Sequence, residues 1–171
     1  NRREFETAED LGRKAAAVYS TAITLTNVAL YAMYAGDFDA AIEEAGKALK
    51  VNERHAKAHL AMALAHLASG RTADAIAAYE RLQPINASLA SLGLARVAPH
   101  EGRSADAAAI LEKGIPADTI DGNASPAARK LTALAHARQL QGRNAEAVRL
   151  IQQALETSHG FEVQVECALV Y

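Results

Sequence analysis

The same six-residue phrase is written four times in this chain. It reads GDFDAA at 36–41, GRTADA at 70–75, GRSADA at 102–107 and GRNAEA at 142–147. The glycines Gly36, Gly70, Gly102 and Gly142 lie 34, 32 and 40 residues apart. The agreement extends on both sides. Seven residues before each glycine stands an alanine (Ala29, Ala63, Ala95, Ala135), and five after it another (Ala41, Ala75, Ala107, Ala147). Eight before it the residue is apolar: Val28, Met62, Leu94 and Leu134. Twelve after it come Ala48, Leu82, Gly114 and Ala154, mostly small. A period of this length restricts the chain to folds made by stacking one supersecondary unit.

The unit is a pair of helices with the glycine between them. Glycine takes a left-handed conformation cheaply and ends the first helix. Asp37, Thr72, Ser104 and Asn144 follow it closely and suit an N-cap or turn role. The alanines lie where two antiparallel helices approach to about 8–10 Å, where small side chains are needed. Half of the residues are hydrophobic and only 5% are aromatic. Much of the apolar content is alanine, which favours helix. One pair cannot bury its apolar face, but stacked pairs can.

On these residues the chain resembles the tetratricopeptide repeat family. Repeat one supplies Leu25, Val28, Ala29, Ala32, Gly36, Phe38, Ala41, Ala45, Ala48 and Glu53 in the family's order. Repeat two supplies His59, Met62, Ala63, His66, Gly70, Ala75, Tyr79 and Leu82, and repeats three and four keep the glycine and both alanines. The family's closing proline is absent at Glu53, and its tryptophan never appears. The resemblance implies an all-α fold, a right-handed α-solenoid of antiparallel helix pairs.

The ends continue the pattern. Residues 4–18 lie over 37–51 at an offset of 33, with Phe5 over Phe38, Ala8 over Ala41 and Val18 over Val51. At the other end VECALVY resembles TNVALYA, with Ala168 over Ala29. The expected organisation is one array over 1–171, a slice of a longer protein. It comprises the second helix of a truncated repeat (1–20), repeats at 22–55, 56–87, 88–127 and 128–160, and the first helix of a further repeat (161–171). Ten helices are expected. Pro, Gly, Asp and Asn in GIPADTIDGNASP predict an extended loop at 114–126, with Ser125-Pro126 opening the next helix.

Little in the sequence points to chemistry. No phosphate-binding glycine loop, G-x-S-x-G or H-E-x-x-H is present, so no catalytic residue, cofactor or metal is expected and the reading is non-enzymatic. His55 and His59 are four apart, but no carboxylate completes a metal set; His59 reads as the large residue near a repeat start. DTIDGN at 118–123 lacks the alternating ligands and closing glutamate of a calcium loop. The single cysteine, Cys167, rules out an intramolecular disulfide and reads as a buried core thiol. A formal net charge of −2 argues against nucleic acid as a partner. No apolar run is long enough for a membrane span. The expected setting is soluble, the cytoplasm ahead of the periplasm.

The resemblance implies protein or peptide binding in the concave groove lined by the first helices. Counting repeat starts at Ala22, Ala56, Ser88 and Ala128, groove positions are the second, fifth, ninth and twelfth. The candidate residues are Ile23, Leu30, Met33, Leu60, Leu64, Leu67, Leu89, Leu92, Arg96, Arg129 and His136, so the groove starts apolar and turns polar and basic. Thr26, Leu30, Leu60, Leu64, Leu92, Arg96, Thr132 and His136 at the fifth and ninth positions do not form the carboxylate clamp of some family members. An apolar groove suits an amphipathic helix or an extended apolar segment. The alternative is that neighbouring helices or a second copy cover these leucines, with a homodimer formed through exposed repeat ends. A further alternative, also from the resemblance, is a regulatory or sensor region of a multidomain bacterial enzyme such as a kinase, cyclase or transferase.

Overall fold

The computed structural model describes residues 2–120, 122 and 124–168. They form ten α-helices. These are α1 (Arg2–Val18), α2 (Ala22–Ala35), α3 (Phe38–Val51), α4 (Ala56–Ala68), α5 (Thr72–Leu82), α6 (Ala87–Val97), α7 (Ser104–Ile120), α8 (Ala124–Leu140), α9 (Asn144–Thr157) and α10 (Phe161–Ala168). A 3-10 turn, Ala98–Glu101, follows α6. No strand occurs among the described residues. The chain divides into two compact units, Asn1–Asn86 and Ala87–Tyr171.

Each letter of the repeated phrase has a structural job. All four glycines are left-handed, with φ of 87°, 76°, 73° and 73°. The residue after each glycine donates its N–H five residues back: Asp37 to Ala32 O, Arg71 to His66 O, Arg103 to Ala98 O and Arg143 to Arg138 O, at 2.8–2.9 Å. This closing bond satisfies a carbonyl that the helix end leaves orphaned. Each following helix carries an acid in its first turn (Asp39, Asp74, Asp106, Glu146), where the helix dipole favours negative charge. The alanines before and after the glycines are buried throughout.

Side-chain capping follows the expectation at Asp37, whose carboxylate accepts the Ala40 N–H. Thr72 and Asn144 are instead the first helical residues, with Arg71 and Arg143 at the N-cap and no side-chain cap bond. An arginine has no acceptor with which to cap. It reaches carboxylates instead: Arg71 pairs with Asp39 at 2.7 Å, Arg103 with Asp106 at 3.1 Å and Arg143 with Glu146 at 2.6 Å.

In the first unit the core is a stack of three layers, each with one corner from α2, α3 and α4. The corners are Leu25/Ala48/Ala58, Ala29/Ala45/Ala61 and Ala32/Ala41/Ala65. Small corners let the three helices close on one another. Across α1 and α3 the buried Glu44 carboxylate accepts from Arg13 at 2.9 Å and Lys47 at 3.0 Å. In the second unit the layers use larger side chains. Leu92, Leu111 and Leu134 join α6, α7 and α8, while Leu131, Ile151 and Val163 join α8, α9 and α10.

The expected loop at 114–126 is corrected. Helix α7 runs through Pro116 to Ile120, and α8 begins at Ala124; residues 121 and 123 lie outside the described residues. Pro116 lacks the N–H that a helix interior uses, so the extension needs tertiary support. Ile115 packs against both clusters of the unit. Asp118 pairs with Lys130 of α8 at 2.8 Å, and both side chains are almost fully buried. Ser88 of α6 donates to Asp118 at 3.0 Å, and Lys130 donates to the Gly114 carbonyl at 3.3 Å. A Cβ on Gly114 would lie 2.9 Å from the ammonium, which is why glycine suits that turn. Pro126 falls in the first turn of α8, where no intrahelical donor is missed.

Candidate functional site

The first helices α2 and α4 pack side by side in the first unit. Their inward faces supply the alanine corners, which leaves the second, ninth and twelfth positions turned outward. Ile23 is 63% exposed. Leu30 and Met33 are half-buried and rest on the second and third alanine layers. On α4, Leu60, Leu64 and Leu67 are half-buried, and their spacing puts them on one helical face. The first unit thus brings six of the expected residues onto two adjacent helices.

In three of the four repeats the fifth position turns inward; in repeat two it is Leu60, half-buried and part of the stripe. Thr26 and Thr132 are buried and donate back to the carbonyls of Ala22 and Ala128, at 2.6 and 3.1 Å. Leu92 is 5% exposed inside the α6–α7–α8 core. It is therefore a packing residue, and its inclusion among groove contacts is corrected. On α2, α6 and α8 the fifth residue is packed inside the unit, whereas on α4 it keeps apolar surface accessible.

The expected basic end of the groove is corrected as well. Glu166 of α10 lies 2.6 Å from Arg96 of α6 and 3.4 Å from Arg129 of α8. One carboxylate ties three first helices together and offsets both cations. His136 is exposed on α8, and Leu89 is half-buried on α6. The sequence reading missed Glu166. Its signal was present, because the alignment that sets Ala168 over Ala29 also puts Glu166 on a first helix beside the arginines.

Other candidates have structural partners. The His59 ring nitrogen Nε2 lies 2.9 Å from the Glu53 carbonyl oxygen, and His55 is the N-cap of α4. Cys167 is buried, with its Sγ 3.5 Å from Thr132 Oγ1. Among the described residues no group of three or more His, Cys, Asp or Glu is placed to hold a metal ion, and no helix is long and apolar enough to cross a membrane. Burial pushes the His66 imidazole pKa down; nearby Asp74 opposes this and Arg71 adds to it.

Among solved structures the chain is similar to a thermophilic TPR protein of Thermus thermophilus, with a TM-score of 0.79 and 18% identity over 97% of this chain and 90% of that one. It is similar to MamA, with a TM-score of 0.66 and 24% identity over 90% and 88%. It is also similar to YrrB, described as a TPR protein with an unusual peptide-binding site, with a TM-score of 0.55 and 12% identity over 94% and 99%. At these identities the likeness is one of fold. No curated protein matches the chain. Two regions match the tetratricopeptide repeat itself, residues 28–90 and 131–163, together more than half of the chain. With the repeated left-handed glycines and buried alanine seams, these matches show that the chain belongs to the tetratricopeptide repeat family.

Proposed function

We propose that this protein is an interaction scaffold that holds an apolar peptide or amphipathic helix against the first helices of its N-terminal unit. The observation that supports this reading is the stripe formed by Ile23, Leu30 and Met33 on α2 with Leu60, Leu64 and Leu67 on α4. These side chains keep apolar surface accessible on helices whose inward faces are already filled by alanine. An apolar surface presented at helical spacing is the recognition mode of a helix laid in a groove. Each half-buried leucine has about 1–2 kcal/mol of further burial to contribute. In the C-terminal unit the equivalent face is an ion-paired cluster around Glu166, which suits a polar rim better than an anchor.

The test is a display library of helical and extended peptides, panned against the chain and against its Leu64→Glu variant. Leu64 is half-buried, so the variant should keep its helical circular dichroism. Peptides that bind the parent and lose the variant support the reading. Peptides that bind both equally, or a library that yields no binder, reject it. Leu92→Glu is the wrong probe, because it charges a core position and unfolds the unit it is meant to report on.

A further inference from the structure

The first unit separates charge from apolar surface. Its second helices carry both signs, with Arg13, Glu43, Glu44 and Lys47 on α1 and α3 and Asp74, Glu80 and Arg81 on α5. Helices α2 and α4 contain no aspartate or glutamate, and their one lysine or arginine is Lys57. Lys57 holds the second position of α4, where α2 has Ile23, so it stands at the end of the Leu60, Leu64, Leu67 row. It is exposed and forms no ion pair among the described residues. In the turn before α4, Glu53 and Arg54 are exposed and opposite in sign. Past the other end of the row, Asp37 and Asp39 follow α2 and Asp74 lies in the first turn of α5, with Arg71 paired to Asp39. An acid is therefore attracted only at the Lys57 end.

The stripe is also distinct from the faces by which repeats stack. The side of α2 that meets α1 across a cleft is lined by Thr24, Asn27 and Tyr31, and its inward side presents Leu25, Ala29 and Ala32. Ile23, Leu30 and Met33 belong to neither set. On α4 the seam with α2 and α3 is made by Ala58, Ala61 and Ala65, which leaves Leu60, Leu64 and Leu67 outside it.

We infer that the occupant of the stripe is a short amphipathic helix of a partner protein that carries a carboxylate one turn beyond its apolar row, against Lys57. This requirement rests on the stripe being the binding face. From the second to the twelfth position the stripe runs about 15 Å, at about 1.5 Å per residue, which is room for roughly three turns. An occupant of that length presents apolar residues at i, i+4 and i+7. Its carboxylate finds a cation with no acid on either lining helix to compete for it. A cation in the same place is repelled. Complementarity of this kind selects partners and speeds encounter more than it tightens the complex.

The probes are two fluorescein-labelled peptides of about 18 residues, with leucines at i, i+4 and i+7 on an alanine-glutamine background. One carries glutamate in the turn flanking one end of the leucine row, and the other carries glutamine there. Both are titrated by anisotropy against the chain and against Lys57→Gln, Lys57→Glu and Leu64→Glu. Lys57 is exposed near a helix N-terminus, where glutamate is favourable, so its variants keep the fold. The glutamate peptide should bind the parent about two- to fivefold more tightly at low salt, with the advantage fading as salt rises. The advantage should vanish in Lys57→Gln and invert in Lys57→Glu, and Leu64→Glu should abolish both complexes. Equal affinity for the parent, or an advantage that survives in Lys57→Gln, overturns the inference and leaves the stripe as the binding face if Leu64→Glu still abolishes binding. If neither peptide binds but the display library yields binders lost in Leu64→Glu, the charged-helix requirement falls alone; if the library fails too, the reading of the stripe falls with it. Sedimentation that shows self-association lost in Leu64→Glu also overturns the inference, because the stripe would then belong to a second copy.

Discussion

The buried pair Asp118–Lys130 gives the sharpest prediction, because its environment is fully specified. The carboxylate accepts from two groups, the Lys130 ammonium at 2.8 Å and the Ser88 hydroxyl at 3.0 Å. The two side chains are 4% and 2% exposed, so solvent cannot take over for a lost partner. Lys130→Met removes the cation and leaves a buried carboxylate with one hydroxyl. Breaking such a pair from one side costs about 3–5 kcal/mol. Removing both charges with Asp118→Leu/Lys130→Met eliminates the stranded charge, and replacement of a buried pair by apolar residues is commonly neutral or better. The double variant should then lie within about 1 kcal/mol of the parent, giving a coupling of several kcal/mol between sites.

Repeat arrays unfold by parts, so a single global midpoint would blur the effect. Hydrogen exchange read on peptides from 104–140 localises it. A loss of 3–5 kcal/mol speeds exchange there by roughly 10²- to 10⁴-fold, at about 1.4 kcal/mol per decade, while peptides of α2 and α3 change little. Gly114 adds an internal check. In the parent, Gly114→Ala crowds the pinned ammonium and should destabilise. In the Lys130→Met background that clash is gone and alanine's helix preference of about 1 kcal/mol makes the same change stabilising. The reasoning fails if Lys130→Met costs less than about 1 kcal/mol, if the double variant costs the sum of the singles, or if Gly114→Ala has one sign in both backgrounds.

Three further predictions concern other parts of the chain. Pro116→Ala restores a helix donor at an exposed position of α7 and should stabilise the C-terminal unit by about 1–3 kcal/mol, seen as slower exchange over 112–120. Gly36→Ala forces a side chain into the left-handed region and should cost about 1 kcal/mol in a denaturant titration, with the fold retained. His66 has its folded pKa pushed down by burial, so the unfolded chain takes up the proton first as pH falls. Stability should decline below about pH 6.5 and level off beneath the folded value. His66→Asn should flatten that slope in denaturant midpoints measured across the same window.

What was legible in the sequence divides by which way a residue faces. Glycine and alanine of the repeated phrase act within one helix pair, and their spacing alone located the helix ends and seams. The second position reads Ile23, Lys57, Leu89 and Arg129; it faces outward, does not repeat, and carried no periodic signal to test. The 114–126 error has a definite cause. Local composition around Pro116 favours a break, and what overrides it is a contact between Asp118 and Lys130 on different helices, which no local pattern encodes. Leu92 was misassigned for a related reason. Leu60 and Leu92 share the fifth position, yet Leu60 keeps accessible surface while Leu92 packs against α7 and α8, a difference that repeat position does not encode.

The two units solve the same packing problem with different residues, and this bears on where recognition can reside. The first unit closes its layers mostly with alanine, so the larger apolar residues of α2 and α4 are left for the outward stripe. The second unit spends Leu92, Leu111, Leu134 and Ile151 on its core and stabilises its outward face with Glu166 between two arginines. A ligand that needs apolar anchors therefore finds them in the first unit. Displacing Glu166 would remove the carboxylate that Arg96 and Arg129 share, so the second unit resists remodelling at that point. Exchange protection of α10 should accordingly fall in Glu166→Gln even though no core contact is removed. Unchanged protection there would mean that Val163 and Cys167 hold the helix by packing alone.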